Sequence, residues 1–556
     1  MALALAAAAL TGLGGTAATA APAADTPYDV LVFSRTSGFR HDSIPAGIQA
    51  VRDLGAGHDF TVTATEDPAA FTTAHLAGYE AVVFLNTTGD VLDSGQQAAF
   101  ETYVRGGGGF VGVHAAADTE YAWPFYGQLV GAWFDSHPAI QQATVRTEDR
   151  AHPATAHLGR NWVRTDEWYN YRTNPRATAH VLATLDESSY SGGGMGADHP
   201  HTWCKTYEGG RSFYTGGGHT QESYADPAFR AQLLGGIRYA AGQAAADCRP
   251  ENGYTALYNG STAGWSQAGP GSFTESDATL TTNGGLGMLW YSAQEYTSYS
   301  LKLDWMLPGD DNSGVFIGFP ASSDPWSAVD HGYEIQIDAT DTADRTTGAV
   351  YGFRSADLAA RDAALNPPGE WNTYELLVEG EHLQVLLNGV KINDFTNTDP
   401  ARSLQQGHIG LQNHGAGDDV RFRNVRIKGL SGPITGLAGK CVDVRGAVSA
   451  DGTAVQLYGC NGTGAQRWSR VGQSLQAFGK CLDVAGGATA NRSPVQLYTC
   501  NGTGAQKWEV STGGTLRNPQ SGRCLDVPGG NSADGTRLAL YDCVPTSPNQ
   551  QWRTTF

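Results

Sequence analysis

The hexapeptide GKCVDV occupies residues 439–444, and close copies recur as GKCLDV at 479–484 and GRCLDV at 522–527. The copies begin 40 and 43 residues apart, and each is followed by a Gln-x-Trp motif. A fixed period of this length is typical of folds in which every copy forms one structural unit that cannot bury its apolar side alone. The tryptophans of these motifs are therefore expected to fill a shared core: Trp468, Trp508 and Trp552.

Six of the eight cysteines lie in these repeats as pairs with one spacing, 19 residues. Zinc ligands usually come as closer CxxC or HxxxH pairs, so the spacing favours disulfides, each contributing about 3 kcal/mol once its loop is closed. The remaining Cys204 and Cys248 are expected to pair as well if the chain is exported, with a free nucleophile as the alternative. The predicted pairs in the repeats are Cys441 with Cys460, Cys481 with Cys500, and Cys524 with Cys543.

The repeats, their Gln-x-Trp motifs and their cysteine spacing resemble the ricin-type lectin family. The resemblance implies an all-β β-trefoil over residues 436–556 with one shallow sugar site per repeat, useful for holding a polymeric glycan by avidity. In the third repeat Val544 replaces the asparagine of the other two, which predicts an altered site. The implied carbohydrate-binding residues are Asp443, Tyr458, Asn461 and Gln466, then Asp483, Tyr498, Asn501 and Gln506, then Asp526, Tyr541 and Gln550.

The charge and the amino terminus predict a secreted protein that binds neutral ligands. With a net charge of -19 and no basic run, the chain lacks the clustered cations that nucleic acid binding needs, so glycans and small sugars fit better as partners. Residues 1–24 contain an apolar run that ends in the small-x-small site Ala18-Thr19-Ala20, which predicts a signal peptide, although the first basic residue is only Arg35. This run is too short for a membrane anchor, so no membrane association is expected.

Residues 27–245 alternate short apolar runs with helical segments. Strand and helix alternation predicts an α/β domain built on a parallel, doubly wound sheet. Segments rich in Ala, Gly and Pro at 243–253 and 429–436 read as linkers. The predicted strands are 28–33, 81–86, 110–114 and 211–216, and the predicted helices are 94–105 and 228–241.

His114 occupies the tight strand-to-helix turn GVHAA at residues 112–116. Hydrolases of related topology expose a Ser or Cys nucleophile at such a turn, so a histidine argues against glutamine amidotransferase activity and leaves a general base or a ligand. Other polar clusters follow later strands: Ser136-His137-Pro138, Asp166-Glu167-Trp168-Tyr169, His199-Pro200-His201-Thr202-Trp203 and Gly216-Gly217-Gly218-His219-Thr220.

These motifs resemble the trehalose-utilisation (ThuA-like) family, which implies a flavodoxin-like fold related to glutamine amidotransferases and work on sugars or oxidised sugars. The resemblance implies one pocket at the carboxyl ends of the strands, with His114 and Glu167 as catalytic candidates. The other implied residues bind substrate: His41, His137 and His219. Neutral imidazoles with a carboxylate could also hold a divalent metal, although no pair has the local spacing of a helix-borne site.

From 254 to 428 the helical period disappears and strands alternate with turns, which predicts a β-sandwich. The strand GYEIQID at 332–338 places Glu334, Gln336 and Asp338 on one face and apolar residues on the other. Such a polar face could line a cleft or could simply face water. The acidic turns at 309–312 and 338–341 could hold calcium or be ordinary solvated turns.

Several motifs in this section resemble the 3-keto-disaccharide hydrolase family: Leu257-Tyr258-Asn259-Gly260, Asn312-Ser313-Gly314-Val315, Trp371-Asn372-Thr373-Tyr374, Gly410-Leu411-Gln412-Asn413-His414-Gly415 and Arg421-Phe422-Arg423-Asn424. The resemblance implies a concanavalin-like jelly roll, related to family-16 glucanases, that acts on glucosides oxidised at carbon 3. One position departs from the family pattern, because Asn413 stands where an aspartate is expected.

A ketone at C3 acidifies the C2 proton, so a carboxylate or imidazole can abstract it and expel the C1 substituent before water adds. The candidates for proton transfer are Glu334, Asp338 and His414, and Gln336, Asn312 and Arg423 would bind substrate, with possible help from a metal.

Direct hydrolysis by a family-16 type mechanism is the second hypothesis, but it needs carboxyls about 5 to 5.5 Å apart. Residues four apart on a strand are about 13 Å apart at the backbone. A glycan-binding protein without catalysis is the third.

Overall fold

The computed structural model describes residues 27–471, 473–511 and 514–554. The predicted signal peptide at 1–24 lies outside these residues. Within the described ranges the chain forms an α/β unit, a β-sandwich and a β-trefoil, in that order. No helix in this part of the chain combines the length and the apolar character needed to cross a membrane.

The α/β unit contains eleven strands and five α-helices among its described residues. In chain order they are β1 (Tyr28–Phe33), α1 (Ile44–Gly57), β2 (Phe60–Thr65), α2 (Thr73–Leu76), β3 (Ala81–Leu85), α3 (Ser94–Arg105), β4 (Gly109–Val113), α4 (Pro124–Val130), β5 (Phe134–Ser136), β6 (Gln141–Thr147), β7 (Asn161–Asp166), β8 (Asn170–Tyr171), β9 (His180–Leu185), β10 (Pro200–Tyr207), β11 (Gly210–Thr215) and α5 (Pro227–Ala241).

The main sheet of this unit has the order β2-β1-β3-β4-β11-β10-β9-β6-β7 and is only partly parallel. The five strands from β2 to β11 are parallel, as predicted, but β10, β9, β6 and β7 pair antiparallel. The prediction of a wholly parallel sheet was therefore wrong for its second half. Among the described residues, no α-helix separates the strands from β5 to β11, so this part of the chain lacks the crossover helices that parallel pairing needs. For β10 and β11 the cause is a two-residue turn with positive φ at Glu208 and Gly209, the conformation of a tight hairpin.

Separate apolar clusters cover the two faces of the sheet. One contains Phe100 of α3 and Tyr126 of α4, and the other contains Val51 of α1 and Ile237 of α5. Helices on both faces confirm the α/β fold class. Cys204 on β10 is bonded to Cys248, so the expected pairing is confirmed and the segment after α5 is tied to the sheet.

The sandwich consists of two antiparallel sheets with a shared apolar core. Its elements are β12 (Thr255–Tyr258), β13 (Trp265–Ala268), β14 (Ser272–Ser276), β15 (Thr279–Asn283), β16 (Gly287–Tyr291), β17 (Tyr299–Met306), β18 (Asn312–Phe319), α6 (Trp326–His331), β19 (Tyr333–Asp338), α7 (Leu358–Ala364), β20 (Asn372–Glu379), β21 (His382–Leu387), β22 (Val390–Thr396), β23 (His408–Asn413) and β24 (Arg421–Gly429).

The smaller sheet of the sandwich, β13-β16-β23-β18-β19, carries the predicted polar face. Tyr333, Ile335 and Ile337 of β19 lie in the core between the sheets. Glu334 and Gln336 point to the opposite side, where they line a cavity. The period-two pattern therefore predicted the two faces of this strand correctly.

The third unit is a β-trefoil, as predicted. Its strands are β25 (Ser431–Gly432), β26 (Cys441–Val444), β27 (Thr453–Tyr458), β28 (Trp468–Val471), β29 (Ser474–Ala477), β30 (Lys480–Val484), β31 (Val495–Tyr498), β32 (Glu509–Val510), β33 (Leu516–Asn518), β34 (Arg523–Asp526), β35 (Thr536–Arg537) and β36 (Ala539–Tyr541). The three repeat tryptophans share one core, and the three predicted disulfides form. Both predictions are confirmed.

Candidate active sites and sugar-binding sites

The sandwich has a cavity of about 200 Å³ on the outer face of its smaller sheet. Strands β18, β19 and β23 form its floor, and α6 contributes Trp326, which is 54% exposed. The polar lining residues are Asn312, Glu334, Gln336, Tyr351, Gln412 and His414. Five of these carry amide, carboxyl or imidazole groups. Amides can hydrogen-bond sugar hydroxyls, and carboxyl and imidazole groups can also transfer protons.

Glu334 is the buried carboxyl of this cavity. Its burial raises the pKa to about 8, although a hydrogen bond with Gln412 opposes the shift. Gly314 on the neighbouring strand makes room for the carboxyl, because a Cβ there would lie 2.4 Å from Glu334 Oε1. Glu334 is therefore protonated at neutral pH and able to donate a proton to a bound ligand.

Gln336 and Gln412 hold unused hydrogen-bonding capacity beside Glu334. Both side chains line the cavity, and neither buried Oε1 atom has a hydrogen-bond partner among the described residues. The Gln336 amide nitrogen donates to Asn312 Oδ1 at 3.4 Å. Buried polar atoms rarely stay unpaired, so these two carbonyl oxygens are placed to accept hydrogen bonds from a ligand.

His414 lies at the edge of the same cavity with its side chain half exposed. Its Nδ1 atom is 3.0 Å from Asp418 Oδ2, and the other Asp418 oxygen accepts from the backbone of Asn312. A carboxylate on Nδ1 fixes the ring and leaves Nε2 free as an acceptor. Sequence reasoning missed Asp418, although its position four residues after His414 offered a signal.

The structure does not place Asp338 and Arg423 in this cavity. Asp338 Oδ1 accepts from the backbone of Thr340 and Asp341, and Oδ2 accepts from Asn312, so its carboxylate holds a turn together. Arg423 lies on β24 in the larger sheet and lines a different cavity. Its guanidinium carbon stacks 3.5 Å from the centroid of the Trp371 ring.

The departure at Asn413 has a structural role. Its amide nitrogen donates to the backbone carbonyls of Ser272 and Asn283 at 3.0 and 2.8 Å, which ties β23 to the β14–β15 hairpin. An aspartate would point acceptor oxygens at two carbonyl oxygens in a fully buried position. The amide therefore stabilises the sandwich instead of taking part in proton transfer.

We expect Asn413→Asp to destabilise the sandwich by about 2–4 kcal/mol at pH 7, because two donors are lost and a carboxylate is buried without a partner. Burial raises the pKa of such a carboxyl, so part of the loss should be recovered in mild acid. Calorimetric unfolding at pH 5 and pH 7 measures both effects. Asn461→Asp, an exposed change of the same type, is the control, and equal loss in both variants would contradict the assignment.

In the α/β unit, four predicted residues come together, three at the carboxyl ends of parallel strands and one after β7 of the antiparallel half. His41 follows β1, His114 follows β4, Glu167 follows β7 and His219 follows β11. Each offers one ligand atom, and these atoms all lie within 4.8 Å of one another. The fifth predicted residue, His137, touches the cluster from the outside, with Nδ1 3.0 Å from Glu167 Oε1 and its side chain 43% exposed.

His114 has the strained backbone expected of a tight strand-to-helix turn, with φ of 48°. Its Nδ1 atom bonds the carbonyl of Gly216 at 2.8 Å, so Nε2 points into the cluster. The Tyr169 ring lies over His114 with 4.0 Å between centroids. The turn, the carbonyl and the ring together fix one orientation of this imidazole.

The charges in this cluster are unevenly distributed. Burial opposes ionisation of Glu167, but hydrogen bonds from His114 and His219 outweigh it and lower its pKa. Burial also opposes protonation of His219, but the hydrogen bond and charge of Glu167 raise its pKa. His41 is different, because burial and the neighbouring His114 and His219 lower its pKa to about 3. Glu167 is thus a carboxylate and His41 a neutral imidazole at physiological pH.

Asp166 organises the backbone around the cluster, and sequence reasoning gave it no role. Its carboxylate accepts from the backbone nitrogens of Glu167, Gly218 and His219, and it pairs with Arg164 at 2.8 Å. The residue is fully buried. It therefore holds β7 and the loop after β11 in the register that brings Glu167 and His219 together.

The first two trefoil repeats have matching polar sites. In the first, Asp443 accepts from Gln456 at 2.8 Å and from Gln466 at 3.0 Å. Gln466 also accepts from the backbone of Asn461 and donates to a carbonyl, so this buried amide braces the site. Tyr458 is 39% exposed beside it. The second repeat repeats these bonds with Asp483, Gln496, Asn501 and Gln506, and its Tyr498 is similarly exposed.

The third repeat lacks two of these amides. Gln550 still bonds Asp526 and accepts from the backbone of Val544. Ala539, however, pairs with Asp526 across β34 and β36 where Gln456 and Gln496 stand in the other repeats. Tyr541 keeps its exposed position. This site therefore keeps Asp526 and the Tyr541 ring but lacks the glutamine that Ala539 replaces and the asparagine that Val544 replaces.

The fold and these sites define a multidomain carbohydrate-active protein with a glycosyl-hydrolase-like domain and a ricin-type lectin module. Three family models match the chain in consecutive segments. Residues 29–240 match ThuA, described as trehalose utilisation, and residues 253–428 match the 3-keto-alpha-glucoside-1,2-lyase-like domain. Residues 430–552 match the ricin-type beta-trefoil lectin domain. No curated protein matches the chain at a significant level of similarity.

Solved structures resemble the three domains one at a time. A candidate ThuA-like protein from Bacteroides uniformis is 23% identical, with 41% of this chain and 95% of the other covered and a TM-score of 0.35. A candidate glycosyl hydrolase from Parabacteroides distasonis is 25% identical, with 32% and 100% covered and a TM-score of 0.28. The designed three-fold symmetric protein ThreeFoil is 32% identical, with 22% and 96% covered and a TM-score of 0.21.

Proposed function

We propose that the sandwich cleaves 3-keto-glycosides by elimination and that the trefoil holds the enzyme on a polymeric glycan. One observation carries the proposal. A protonated, buried Glu334 and an exposed His414 oriented by Asp418 line the same cavity. Removal of the C2 proton requires a base, and departure of the C1 alcohol requires an acid. The lyase description of the matching family agrees with this chemistry.

The proposed reaction uses His414 as the base and Glu334 as the acid. His414 Nε2 takes the proton from C2, which the C3 ketone acidifies, and an enolate forms. The enolate re-forms the ketone, a C1–C2 double bond forms, and the bond from C1 to the glycosidic oxygen breaks. Glu334 gives its proton to that oxygen, so an alcohol leaves together with a sugar enone. Water then adds to C1 of the enone and completes a net hydrolysis.

The neighbouring amides support binding of the sugar ring. The unpaired carbonyl oxygens of Gln336 and Gln412 accept from ring hydroxyls, and Asn312 braces Gln336. Trp326 at the entrance offers an exposed indole face for the C–H side of a pyranose. A buried oxygen without a donor is energetically costly, so ligands that supply hydroxyl donors should bind in this cavity more tightly than apolar ligands.

Direct hydrolysis by two carboxylates is less well supported. Among the described residues, Glu334 is the one carboxyl that lines the cavity. Asp338 has both oxygens engaged, Oδ1 by the backbone of its own turn and Oδ2 by the Asn312 amide on β18. A retaining mechanism needs a second free carboxylate about 5 to 5.5 Å away.

The test compares a glucoside with its 3-keto derivative as substrates for the full chain. Elimination predicts release of the aglycone and of an absorbing enone from the keto form alone. Equal release from the plain glucoside would instead favour direct hydrolysis. No release from either, with glycan binding intact, would leave the glycan-binding role as the function of the chain.

The trefoil is proposed to bind glycans through its first two repeats. We expect Asp443→Asn with Asp483→Asn to lower the affinity for a multivalent glycan at least about 100-fold, because avidity needs two working sites. Asp526→Asn is the matched control and should change the affinity less than about twofold. Glycan-array binding or pull-down on an insoluble polysaccharide measures the difference. An equal loss from Asp526→Asn alone would show that the third repeat also binds.

We also propose that the protein is secreted. Its eight cysteines form four disulfides, which persist mainly in oxidising compartments. A glycan-targeting module is useful where polymeric substrate is found. Fractionation of the producing cells, with the processed amino terminus sequenced, tests both the location and the predicted cleavage site.

A further inference from the structure

The α/β unit contains a second cluster of chemistry that the lyase proposal does not use. His41, His114, Glu167 and His219 reach one point from four different loops at the carboxyl edge of the sheet. Three of them are buried, and His219 is half-buried. Four ligand-type side chains seldom meet in this way without a bound ion or substrate, because their desolvation is costly.

The spacing within the cluster fits a small metal ion. His114 Nε2 lies 3.2 Å from His219 Nδ1 and 3.4 Å from Glu167 Oε2, and His219 Nδ1 lies 3.0 Å from the same oxygen. Tetrahedral ligands at 2.0 to 2.1 Å from zinc are separated from one another by about 3.3 Å. The three measured edges therefore leave room for an ion of this size between the atoms.

The surroundings hold the ligand atoms in place. His114 Nδ1 is engaged by the Gly216 carbonyl, which turns Nε2 toward the centre. The second oxygen of Glu167 contacts His137, and Asp166 fixes the backbone of Glu167 and His219. Such outer partners are the usual support of metal-binding imidazoles and carboxylates. His41 Nδ1 is buried without a hydrogen-bond partner among the described residues, so its capacity to bind a ligand is unused.

We infer that His41, His114, Glu167 and His219 bind one divalent transition-metal ion. Three imidazoles and one carboxylate favour zinc, cobalt, nickel, manganese or iron(II) over magnesium and calcium, which prefer oxygen ligands. The four ligands lie on separate loops that are distant in sequence, so no short sequence motif predicts the site. This site is independent of the sandwich cavity, so each proposal can fail without the other.

Metal analysis of the full chain tests the inference. The protein is prepared without a polyhistidine tag, stripped with a chelator, dialysed and incubated with zinc or cobalt. We expect about one ion per chain by mass spectrometry and visible absorption bands from bound cobalt. His41→Gln and His219→Gln should each weaken zinc binding at least about 100-fold. His58→Gln, an exposed histidine of the same unit, should bind as the wild type does.

A second measurement guards against loss of fold in the variants. Zinc should raise the unfolding temperature of the wild type and of His58→Gln but not of the two ligand variants. Circular dichroism must show the same secondary structure in all four proteins. Less than about 0.2 ion per chain in the wild type, or full binding in both ligand variants, would overturn the inference. The cluster would then be a set of hydrogen-bonded contacts between the histidines and Glu167 with no metal.

Discussion

Glu334→Gln is expected to lower kcat/KM for a 3-keto-glucoside with an alkyl leaving group by about 10³-fold, the middle of the range for loss of a general acid. An alkoxide is a poor leaving group, so the proton on Glu334 carries much of the catalysis. Glutamine keeps the shape of the side chain beside Gly314 but replaces the acidic hydroxyl with an amide that cannot transfer a proton. Initial rates of alcohol release measure the effect.

The role of Glu334 as an acid can be separated from other roles by the leaving group. A nitrophenolate leaves without protonation, so the same variant should lose less than about tenfold on the nitrophenyl 3-keto-glucoside. Wild-type kcat/KM for the alkyl substrate should fall above pH about 8, since the raised pKa of Glu334 keeps the proton only below that value. This falling limb should be absent with the nitrophenyl substrate.

The control for this prediction is Glu275→Gln, an exposed carboxyl on β14 of the same domain. It should leave both rates and both pH profiles unchanged. Equal losses of Glu334→Gln on the two substrates would contradict the acid role and point to a structural or electrostatic one. A falling limb that persists in the variant would assign the pKa near 8 to another group.

The features predicted most accurately from the sequence were those encoded by a repeat or by an alternating pattern of apolar and polar residues. Period two separated Ile335 and Ile337 from Glu334 and Gln336 on β19, and the repeats predicted the trefoil core with its three disulfides. The same pattern could not place Asp338, because alternation gives the face of a side chain but not its partners. Asp338 shares the face of Glu334, yet backbone donors of the following turn capture its carboxylate.

Residues distant in sequence were the harder part. Arg423 belongs to a family motif near His414, but β24 and β23 lie in different sheets, so the two side chains line different cavities. Asp418 was overlooked because its partner is defined by the turn after β23. In the α/β unit, alternation of strands with α-helices ends after α4, where β5 to β11, all within the described residues, follow one another without an α-helix between them. The last two of these strands form a hairpin through a two-residue turn at Glu208 and Gly209.

Loss of His414, the base of the proposed reaction, is expected to cause the second large decrease in kcat/KM. We expect His414→Ala to lower kcat/KM for every 3-keto-glucoside, alkyl or nitrophenyl, by about 10³-fold, because abstraction of the C2 proton precedes loss of either leaving group. Asp418→Asn keeps the imidazole but loses the carboxylate that orients it, so a smaller loss of about 10- to 100-fold is expected. Steady-state kinetics on the two substrates distinguish this pattern from that of Glu334→Gln.

Exchange of the C2 hydrogen isolates the step assigned to His414. A 3-keto sugar analogue without a leaving group at C1 cannot eliminate, but the enzyme should exchange its C2 hydrogen with deuterated water. We expect exchange to survive in Glu334→Gln and to disappear in His414→Ala. His382→Ala removes the histidine of another His–Asp pair in the sandwich, 2.7 Å from Asp394 and outside the cavity lining, and should exchange normally. Exchange that persists in His414→Ala would assign the base to a different residue and would leave the pairing with Asp418 as a structural contact.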